Sequence, residues 1–264
     1  MSAFKTIEYS TDNNIAKIIL NRPEVRNAFN DIMIKEMHQA LDHIEKSQTI
    51  KALILKGKGT VFSAGADLNW MKKMVDYSYE DNYKDSQKLY ELFDKLYGLP
   101  CPTITMVHGA SIGGANGLLG ASDIVLAQTQ TQFRFSEVKI GLVPATIAPY
   151  IVKRVGEYAA KYYLLTGKSF GVNDALRIGL IDSTGTSESI ETELQIIQGE
   201  LERNSIDAVR KTKQLINTIA LHTEKEEIKR ETINTIAEAR ISKDGQEGMK
   251  AFLEKRKPNW IKDQ

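Results

Sequence analysis

The sequence predicts an α/β protein whose sheet-containing core is closed by a helical C-terminal region. Short apolar or alternating segments, typical of strands, recur among longer segments with helical spacing up to about residue 195. Beyond that point the spacing stays helical and no strand signal follows. The strands occur in a β-β-α rhythm, which differs from the regular alternation of a doubly wound sheet. We therefore expect a core at 1–195 and a helical region at 196–264.

The first segments predict a hairpin and a capped helix. Residues 4–10 and 14–20 alternate or run apolar, which is typical of two strands joined by a tight turn. Asn30 can cap the helix that follows, because its side-chain oxygen can accept from a free backbone N–H of the first turn. The apolar side chains of this helix recur at helical spacing and are Met33, Met37, Leu41 and Ile44.

The middle of the chain predicts further strands and helices in the same rhythm. The strand KALILKG leads into the loop FSAGADL, and an amphipathic helix is expected over 80–97. The strand TITMVHG comes next, SIGGANGLLG is expected to start a helix, and DIVLAQ is the following strand.

Charge and cysteine content narrow the class of protein. Lysine plus arginine number 35 against 34 acids, so the net charge of +1 gives no reason to expect nucleic acid or a membrane surface as partner. Cys101 is the only cysteine, which fits a reducing compartment and predicts a packed side chain rather than a nucleophile. The N-terminal MSAFKTIEYS lacks the pattern of a signal or transit peptide. We expect a cytoplasmic location.

An uncharged, glycine-rich stretch covers residues 96–122. Its GxxxG patterns are typical of packed membrane helices, but Pro100, Pro102, His108 and Asn116 interrupt any continuous apolar span. It contains no G-x-G-x-x-G, and the later TGKS lacks the first glycine of a P-loop. The histidines are scattered, so no metal site is expected.

The loops FSAGADL (62–68) and HGASIGG (108–114) each follow a predicted buried strand. Small residues let backbone N–H groups approach a ligand closely. Two such donors from different strands, aimed at one point, would form an oxyanion hole. Taken singly, glycine-rich turns are more often packing features.

Four segments together resemble the crotonase, or enoyl-CoA hydratase/isomerase, superfamily. They are NRPEVRNAF (21–29), FSAGADL (62–68), HGASIGGANGLLGASDI (108–124) and FSEVKIGLVPATIAPYIVKRVG (135–156). The resemblance implies a spiral of ββα turns with the active site at 1–195 and a helical trimerisation region at 196–264. It also implies a homotrimer or a dimer of trimers. The substrate would be an acyl-CoA thioester, so that coenzyme A is part of the substrate and no separate cofactor is expected.

The resemblance also assigns the catalytic groups. The N–H groups of Ala66 and Gly114 would bind the thioester oxygen, and Gly113 would permit the close turn before Gly114. Such donors stabilise the negative charge that builds on this oxygen when a proton leaves or joins carbon 2. Glu137, in FSEV, would be the acid/base group; a surface or capping glutamate is the alternative.

Coenzyme A contacts follow from the same resemblance. Arg26 would bind phosphate, with Ala28 beside the pantetheine; a solvated surface arginine is the alternative. The adenine side would be lined by Ala64, Gly65, Asp67 and Leu68. Phe252 and Lys255, in FLEKRKP, would reach the coenzyme A of a neighbouring subunit, unless this segment is only a basic surface tail.

The sequence departs from common hydratases at Gly117, where they have a second glutamate. One carboxylate can hydrate a double bond, and it can equally move a proton between carbons 2 and 4. Hydratase and Δ3–Δ2 isomerase therefore both stay open. A non-catalytic crotonase-like protein that binds RNA is a third alternative, which the low net charge and Glu137 disfavour.

Three segments resemble bacterial methylglutaconyl-CoA hydratases and related hydratases of the acyclic terpene pathway: SAGADLNWM (63–71), GGANG, and SEVKIGLVPATIAPYIV (136–152). This resemblance implies addition of water to 3-methylglutaconyl-CoA in leucine degradation, giving 3-hydroxy-3-methylglutaryl-CoA. The distal carboxylate of that substrate requires a cation or exposed donors. Candidates by position are Lys72, Lys73 and Arg134.

The acyl pocket is expected to involve residues 70–74, Gly113, Gly117 and the segment after FSEV. Thr146 would offer a hydroxyl to the water, or else cap a helix. Trp70, Met71 and Met74 would shape the pocket, although helix packing explains their spacing equally well.

Overall fold

The computed structural model describes residues 4–221 and 224–261. Residues 1–3, 222–223 and 262–264 lie outside this description. The strands are β1 (Ile7–Asp12), β2 (Ile15–Leu20), β3 (Ala52–Gly57), β4 (Thr103–Val107), β5 (Ala110–Ile112), β6 (Ile124–Gln128), β7 (Gln132–Arg134), β8 (Phe170–Gly171) and β9 (Ser183–Gly185).

The α-helices are α1 (Asp31–Lys46), α2 (Leu68–Met74), α3 (Tyr79–Gly98), α4 (Asn116–Ala121), α5 (Ala148–Val155), α6 (Glu157–Thr166), α7 (Val172–Arg177), α8 (Ser187–Arg203), α9 (Ile206–Leu221), α10 (Lys225–Ile241) and α11 (Lys243–Leu253). None of the helices in the described ranges is long and apolar enough to span a bilayer.

The larger sheet has the strand order β1-β2-β3-β4-β6-β9. β1 pairs with β2 antiparallel, and the remaining neighbours are parallel. The predicted hairpin is confirmed, and its turn has positive φ at Asn13 and Asn14, which is typical of a two-residue hairpin turn.

The smaller sheet has the order β5-β7-β8. β4 and β5 follow one another in the chain but lie in different sheets, and the same holds for β6 and β7. Each pair is followed by a helical segment, so the predicted ββα rhythm is confirmed. Isolated bridges from Ser63 to Ser111 and from Phe29 to Ala66 connect the 62–68 loop to this smaller sheet and to the segment before α1.

Apolar residues cover both faces of the larger sheet. One face packs on α1, α3, α4 and α5, where the four predicted core residues Met33, Met37, Leu41 and Ile44 are all fully buried. The Asn30 cap is confirmed, because its side chain accepts from the N–H of Met33 at 2.9 Å. On the other face, Ile190 and Leu194 of α8 pack on β2, β3, β4 and β6.

The structure differs from the prediction at SIGGANGLLG. Its first residues belong to strand β5, Gly113–Ala115 form a 3-10 helix, and the α-helix begins only at Asn116. Gly113 has φ of 56°, which a right-handed α-helix does not accept. The expected boundary at 195/196 falls inside α8, and the division into two regions stays a prediction.

Helix α9 of the C-terminal region contacts the core through Lys213. Lys213 is buried and forms an ion pair with Asp123 at 2.6 Å, and its ammonium also donates to the carbonyl of Cys101 at 3.0 Å. Cys101 is buried, and burial raises the pKa of its thiol to about 11. The predicted role of Cys101 as a packed side chain is confirmed.

Candidate active site

The two predicted loops lie side by side. Phe62 N–H donates to the carbonyl of His108 at 2.8 Å, and Ser63 exchanges hydrogen bonds with the β5 backbone. This pairing presses Gly65 against β5: an added Cβ on Gly65 would lie 2.8 Å from the carbonyl oxygen of Ile112. Gly65 also has φ of 89°, so the close approach of the two loops depends on glycine.

Ala66 is held in a parallel bridge with Phe29. The Phe29 N–H donates to the carbonyl of Gly65 at 2.6 Å, and the Asp67 N–H donates to the carbonyl of Phe29 at 2.8 Å. In such a bridge the N–H of Ala66 itself points away from Phe29. Within residues 4–221 and 224–261, this N–H donates to no backbone carbonyl. Gly114 is the second residue of the 3-10 helix Gly113–Ala115, and the first N–H groups of a helix have no acceptor within it. Both predicted oxyanion donors are therefore free of backbone partners.

The turn at Gly113 and Gly114 lies beside the predicted acid/base group. An added Cβ on Gly113 would lie 3.4 Å from Oε1 of Glu137 and 3.4 Å from Oγ of Ser136. An added Cβ on Gly114 would meet no atom within 4 Å. The turn therefore has the carboxyl of Glu137 beside Gly113 and open space beside Gly114.

Glu137 is half-buried at the start of a 3-10 helix over Glu137–Ile140. Its Oε2 atom is fully buried and has no hydrogen-bond partner in the described part of the chain. Burial raises the pKa of this carboxyl above its usual 4.5, because it disfavours the charged form. Such a carboxylate can take up and release a proton closer to neutral pH than an exposed one.

Gly117 is packed rather than open. An added Cβ would lie 2.5 Å from Cζ of Phe93 and 2.7 Å from Cγ2 of Ile147. Position 117 therefore accepts no side chain while Phe93 and Ile147 keep their places. The predicted place of Gly117 in the substrate pocket stays a prediction.

Residues predicted to contact coenzyme A lie next to the 62–68 loop. Arg26 is exposed, and its carbonyl accepts from the N–H of Ala64 at 2.9 Å. Ala28 is buried, and its carbonyl accepts from Nη1 of Arg22 at 2.6 Å. The structure brings Arg26, Ala28, Ala64 and Gly65 together, while their contacts with coenzyme A stay predictions.

Asp67 has a structural partner that the sequence reasoning missed. Its carboxylate pairs with Arg22 at 2.8 Å and caps α2 by accepting from the N–H of Asn69 at 2.8 Å. Burial acts to raise the pKa of Asp67, but Arg22 and the helix N–H groups outweigh it and lower the pKa below 3.8. The neighbouring Leu68 is 74% exposed, so it has surface to offer a ligand.

The structural role of Asn27 was also not predicted from the sequence. Its side chain is fully buried and donates to the carbonyls of Lys58 and Val61 at 2.7 and 2.9 Å. It thereby joins the 21–29 segment to the start of the 62–68 loop. The signal in the sequence was the asparagine itself, a polar residue between Arg26 and the apolar Ala28 and Phe29.

The predicted pocket residues have mixed surroundings. Trp70 is buried in the main core and its Nε1 has no hydrogen-bond partner among the residues described, while Met71 is half-buried. Thr146 is half-buried, and its alternative role as a helix cap is wrong, because Ile147 is the N-cap of α5 and no side chain caps that helix.

The candidate cations for a distal carboxylate are spread over two elements. Lys72 and Lys73 are exposed on α2. Arg134, at the end of β7, donates from Nε to the carbonyl of Gly167 at 3.1 Å. That bond holds its guanidinium at the turn after α6.

At the far end of the chain, Phe252 is 83% exposed on the last turn of α11, and Lys255 follows with φ of 53°. Their predicted contact with a neighbouring subunit's coenzyme A stays a prediction. No group of three His, Cys, Asp or Glu side chains that could hold a metal ion occurs in the ranges described.

Comparison with known proteins shows the family. Residues 10–263 match the family described as enoyl-CoA hydratase/isomerase. A putative enoyl-CoA hydratase of Thermus thermophilus is 33% identical over 94% of this chain and 97% of its own length. The trans-2-decenoyl-[acyl-carrier-protein] isomerase of Streptococcus mutans is 30% identical over 97% of this chain and 98% of its own length.

Solved structures agree with this result. An enoyl-CoA hydratase from Shewanella pealeana superposes with a TM-score of 0.93 and 37% identity, covering 97% of this chain and 96% of the other. Pseudomonas aeruginosa AtuE gives a TM-score of 0.94 and 30% identity, covering 98% and 100%. The fold is the α/β crotonase fold, with two sheets and C-terminal helices. The chain belongs to the enoyl-CoA hydratase/isomerase family and is an enzyme of that family.

Proposed function

We propose that the protein adds water across the double bond of an enoyl-CoA thioester, with Glu137 as the acid/base group. The observation that supports this most is the Glu137 carboxyl beside the Gly113 turn, where a Cβ added to Gly113 would lie 3.4 Å from Oε1 while Oε2 is buried without a partner among the described residues. No side chain in the described ranges neutralises this carboxyl with an ion pair, so it can accept a proton from an attacking water.

The reaction balances with this single carboxylate. Water loses a proton to Glu137 as its oxygen bonds to carbon 3, and the electron pair of the double bond moves toward the thioester carbonyl. The N–H groups of Ala66 and Gly114 bind the resulting enolate oxygen, which they can do because they lack backbone acceptors. Glu137 then returns the proton to carbon 2, so that one water is added and the carboxylate is restored.

The preferred substrate in this proposal is 3-methylglutaconyl-CoA, converted to 3-hydroxy-3-methylglutaryl-CoA in leucine degradation. The support is the resemblance of SAGADLNWM, GGANG and SEVKIGLVPATIAPYIV to methylglutaconyl-CoA hydratases. None of the relatives reported above bears that name. Lys72, Lys73 and Arg134 are the candidate cations for the distal carboxylate of the substrate.

The second candidate is Δ3–Δ2 isomerisation of an enoyl-CoA. Two observations favour it: the packed Gly117 leaves no second acid at that position, and one of the relatives is a trans-2-decenoyl-[acyl-carrier-protein] isomerase. In that reaction Glu137 takes a proton from one carbon of the substrate and returns it to another. The same oxyanion donors would serve both reactions.

The test is a mass-spectrometric assay of the purified protein with 3-methylglutaconyl-CoA, crotonyl-CoA and 3-hexenoyl-CoA in parallel. Gain of one water on the methylglutaconyl substrate, well above crotonyl-CoA, is the expected result. Unchanged mass with a chromatographic shift of the hexenoyl substrate would identify an isomerase instead. The Glu137→Gln variant is the control, since it keeps the shape of the side chain and removes the base.

A further inference from the structure

We propose that Asn116 is a positioning residue for the oxyanion turn: its side chain holds the Gly113–Gly114 peptide so that the Gly114 N–H faces the thioester oxygen. This inference rests on the proposed role of the Gly114 N–H. Asn116 is fully buried, and its Nδ2 donates to the carbonyl of Gly113 at 3.1 Å and to that of Arg134 at 2.9 Å.

The first of these bonds acts on the donor itself. The carbonyl of Gly113 and the N–H of Gly114 belong to one planar peptide group, and in a trans peptide they point in opposite directions. A hydrogen bond that fixes the carbonyl therefore also fixes the direction of the N–H. The backbone N–H of Asn116 reaches the same carbonyl, so this peptide oxygen is held from two sides.

The second bond joins the turn to the acid/base segment. Arg134 is the last residue of β7, three positions before Glu137. One amide group thus ties the oxyanion turn to the strand that leads into Glu137. Donation to the Gly113 carbonyl also polarises its peptide group, which makes the Gly114 N–H a stronger donor.

Packing alone does not explain an asparagine at this position. Its Oδ1 is buried and has no hydrogen-bond partner among residues 4–221 and 224–261. An unpaired buried acceptor disfavours folding. The opposite orientation of the amide is worse, because it would place Oδ1 against two carbonyl oxygens. The residue therefore keeps two useful bonds at the cost of one unsatisfied atom.

The other oxyanion donor is held in a comparable way by the backbone. The Phe29 N–H donates to the carbonyl of Gly65, which shares a peptide group with the N–H of Ala66. One of the two donor peptides is thus fixed by a main-chain group and the other by a side chain. Only the second can be altered by substitution without changing the backbone.

The experiment compares Asn116→Ala and Asn116→Ser with Ser122→Ala as the matched control. Ser122 is buried after the other end of α4 and donates from Oγ to the carbonyl of Leu118 at 2.7 Å. Each substitution to alanine removes a buried side chain that donates to a carbonyl, but only Asn116 touches the oxyanion turn. Thermal unfolding of all three variants measures how much stability each substitution removes, apart from any effect on catalysis.

The readouts are kcat and KM with whichever enoyl-CoA the wild type converts, and the enolate absorbance of bound acetoacetyl-CoA. Deleting one oxyanion donor lowers kcat by about 10²–10³-fold, so loosening one should lower it by about 10- to 100-fold. We expect that loss in Asn116→Ala, with KM changed by less than about threefold and a weaker enolate signal. Asn116→Ser, whose hydroxyl can still donate to Gly113, should fall between Asn116→Ala and the wild type.

The inference is overturned if Asn116→Ala keeps kcat within about twofold and an unchanged enolate signal. Should that variant fail to fold, a wild-type enolate signal in folded Asn116→Ser with an impaired kcat would overturn it equally. Wild-type protein that converts none of the enoyl-CoAs but still forms the acetoacetyl-CoA enolate would refute only the proposed function. Absence of any enolate signal from the wild type would refute the oxyanion assignment and this inference together.

Discussion

At the scale of single residues, Glu36 and Glu137 show how hydrogen bonding separates a structural carboxylate from a reactive one. Glu36 accepts from the N–H groups of Lys5 and Thr6 and from the Thr6 hydroxyl. Burial acts to raise the pKa of Glu36, but these donors outweigh it and lower the pKa. Glu137 has a buried oxygen without a partner, and its pKa is raised. The first is held in place, and the second is left able to exchange a proton.

Glu137→Gln should lower kcat at least about 100-fold, since general acid–base catalysis contributes 10²–10⁴-fold. In the wild type, the acidic limb of kcat/KM should lie above pH 4.5, because only the ionised form is a base and its pKa is raised. A pH–rate profile measures both. A variant that retains activity would exclude Glu137 as the catalytic group.

The same substitution should stabilise the fold. The pKa of Glu137 is higher in the folded chain than in the unfolded one, so its ionisation favours unfolding above the folded pKa and has no effect below about pH 4.5. Glu137→Gln is therefore expected to melt at a higher temperature at pH 7 and near the wild type at pH 4. Glu36→Gln is the control: it should melt at a lower temperature than the wild type at pH 7, because the pKa of Glu36 is lowered in the folded chain. Lower stability of Glu137→Gln at pH 7 would contradict this assignment.

Gly117→Ala should destabilise the protein by about 1–3 kcal/mol, the usual cost of overpacking a core. The added methyl group would collide with Phe93 and Ile147. Gly199→Ala on α8 is the matched control, because an added Cβ there meets nothing within 4 Å and alanine favours a helix. Urea unfolding measures both, and equal stabilities of the two variants would show that Phe93 and Ile147 move aside.

At the scale of elements, α2 depends on the charge at its N-terminus. Asp67 caps the helix and pairs with Arg22, so one carboxylate joins α2 to the 21–29 segment. The Phe29–Ala66 bridge lies beside it. The element that bears Trp70 and Met71 is therefore oriented by the same contacts that hold the 62–68 loop.

Asp67→Ala should lower the free energy of unfolding by about 3 kcal/mol at pH 7, because it removes a cap and leaves Arg22 without its partner. Asp67→Asn, which can still cap, should cost less. The folded pKa of Asp67 lies below 3.8, so its stabilisation is present above that pH and is lost as the pH falls through the folded value. Urea unfolding at pH 7 and pH 3 tests this, and an equal loss at both pH values would refute the role of the charge.

At the scale of the whole molecule, the last two helices expose several large apolar side chains. Ile241, Met249, Phe252 and Leu253 are all exposed on α10 and α11. Apolar surface of this kind marks an interaction site. It supports the proposal that chains assemble through the helical region and that Phe252 and Lys255 reach a neighbouring active site.

Light scattering should give a mass about three times the 29.6 kDa of one chain for a trimer, or about six times that mass for a dimer of trimers. Phe252→Glu should raise KM for the acyl-CoA or weaken assembly, since it puts a charge at an apolar contact. Tyr158→Glu is the control, because Tyr158 is similarly exposed but lies on α6. A monomeric wild type would refute the proposed assembly.

Local patterns in the sequence determined most of the fold. The hairpin, the Asn30 cap and the core face of α1 each depend on residues within a few positions of one another, so spacing and side-chain chemistry were enough. The four family motifs likewise located the loops of the site. The helix expected at SIGGANGLLG was misplaced, because the β5 pairing that extends Ala110–Ile112 comes from Ser63 and β7, far along the chain.

The tertiary structure alone decided how the site residues meet. Glu137 lies beside Gly113, Asn116 bonds Arg134, and Gly117 is closed by Phe93 and Ile147. These contacts join residues 18 to 30 positions apart, and the burial that raises the pKa of Glu137 arises only after the strands have packed. The sequence by itself determined the elements and the kind of chemistry, because both follow from local residue patterns. Which atoms are buried, paired or left free depends on long-range packing, and only the folded chain determines it.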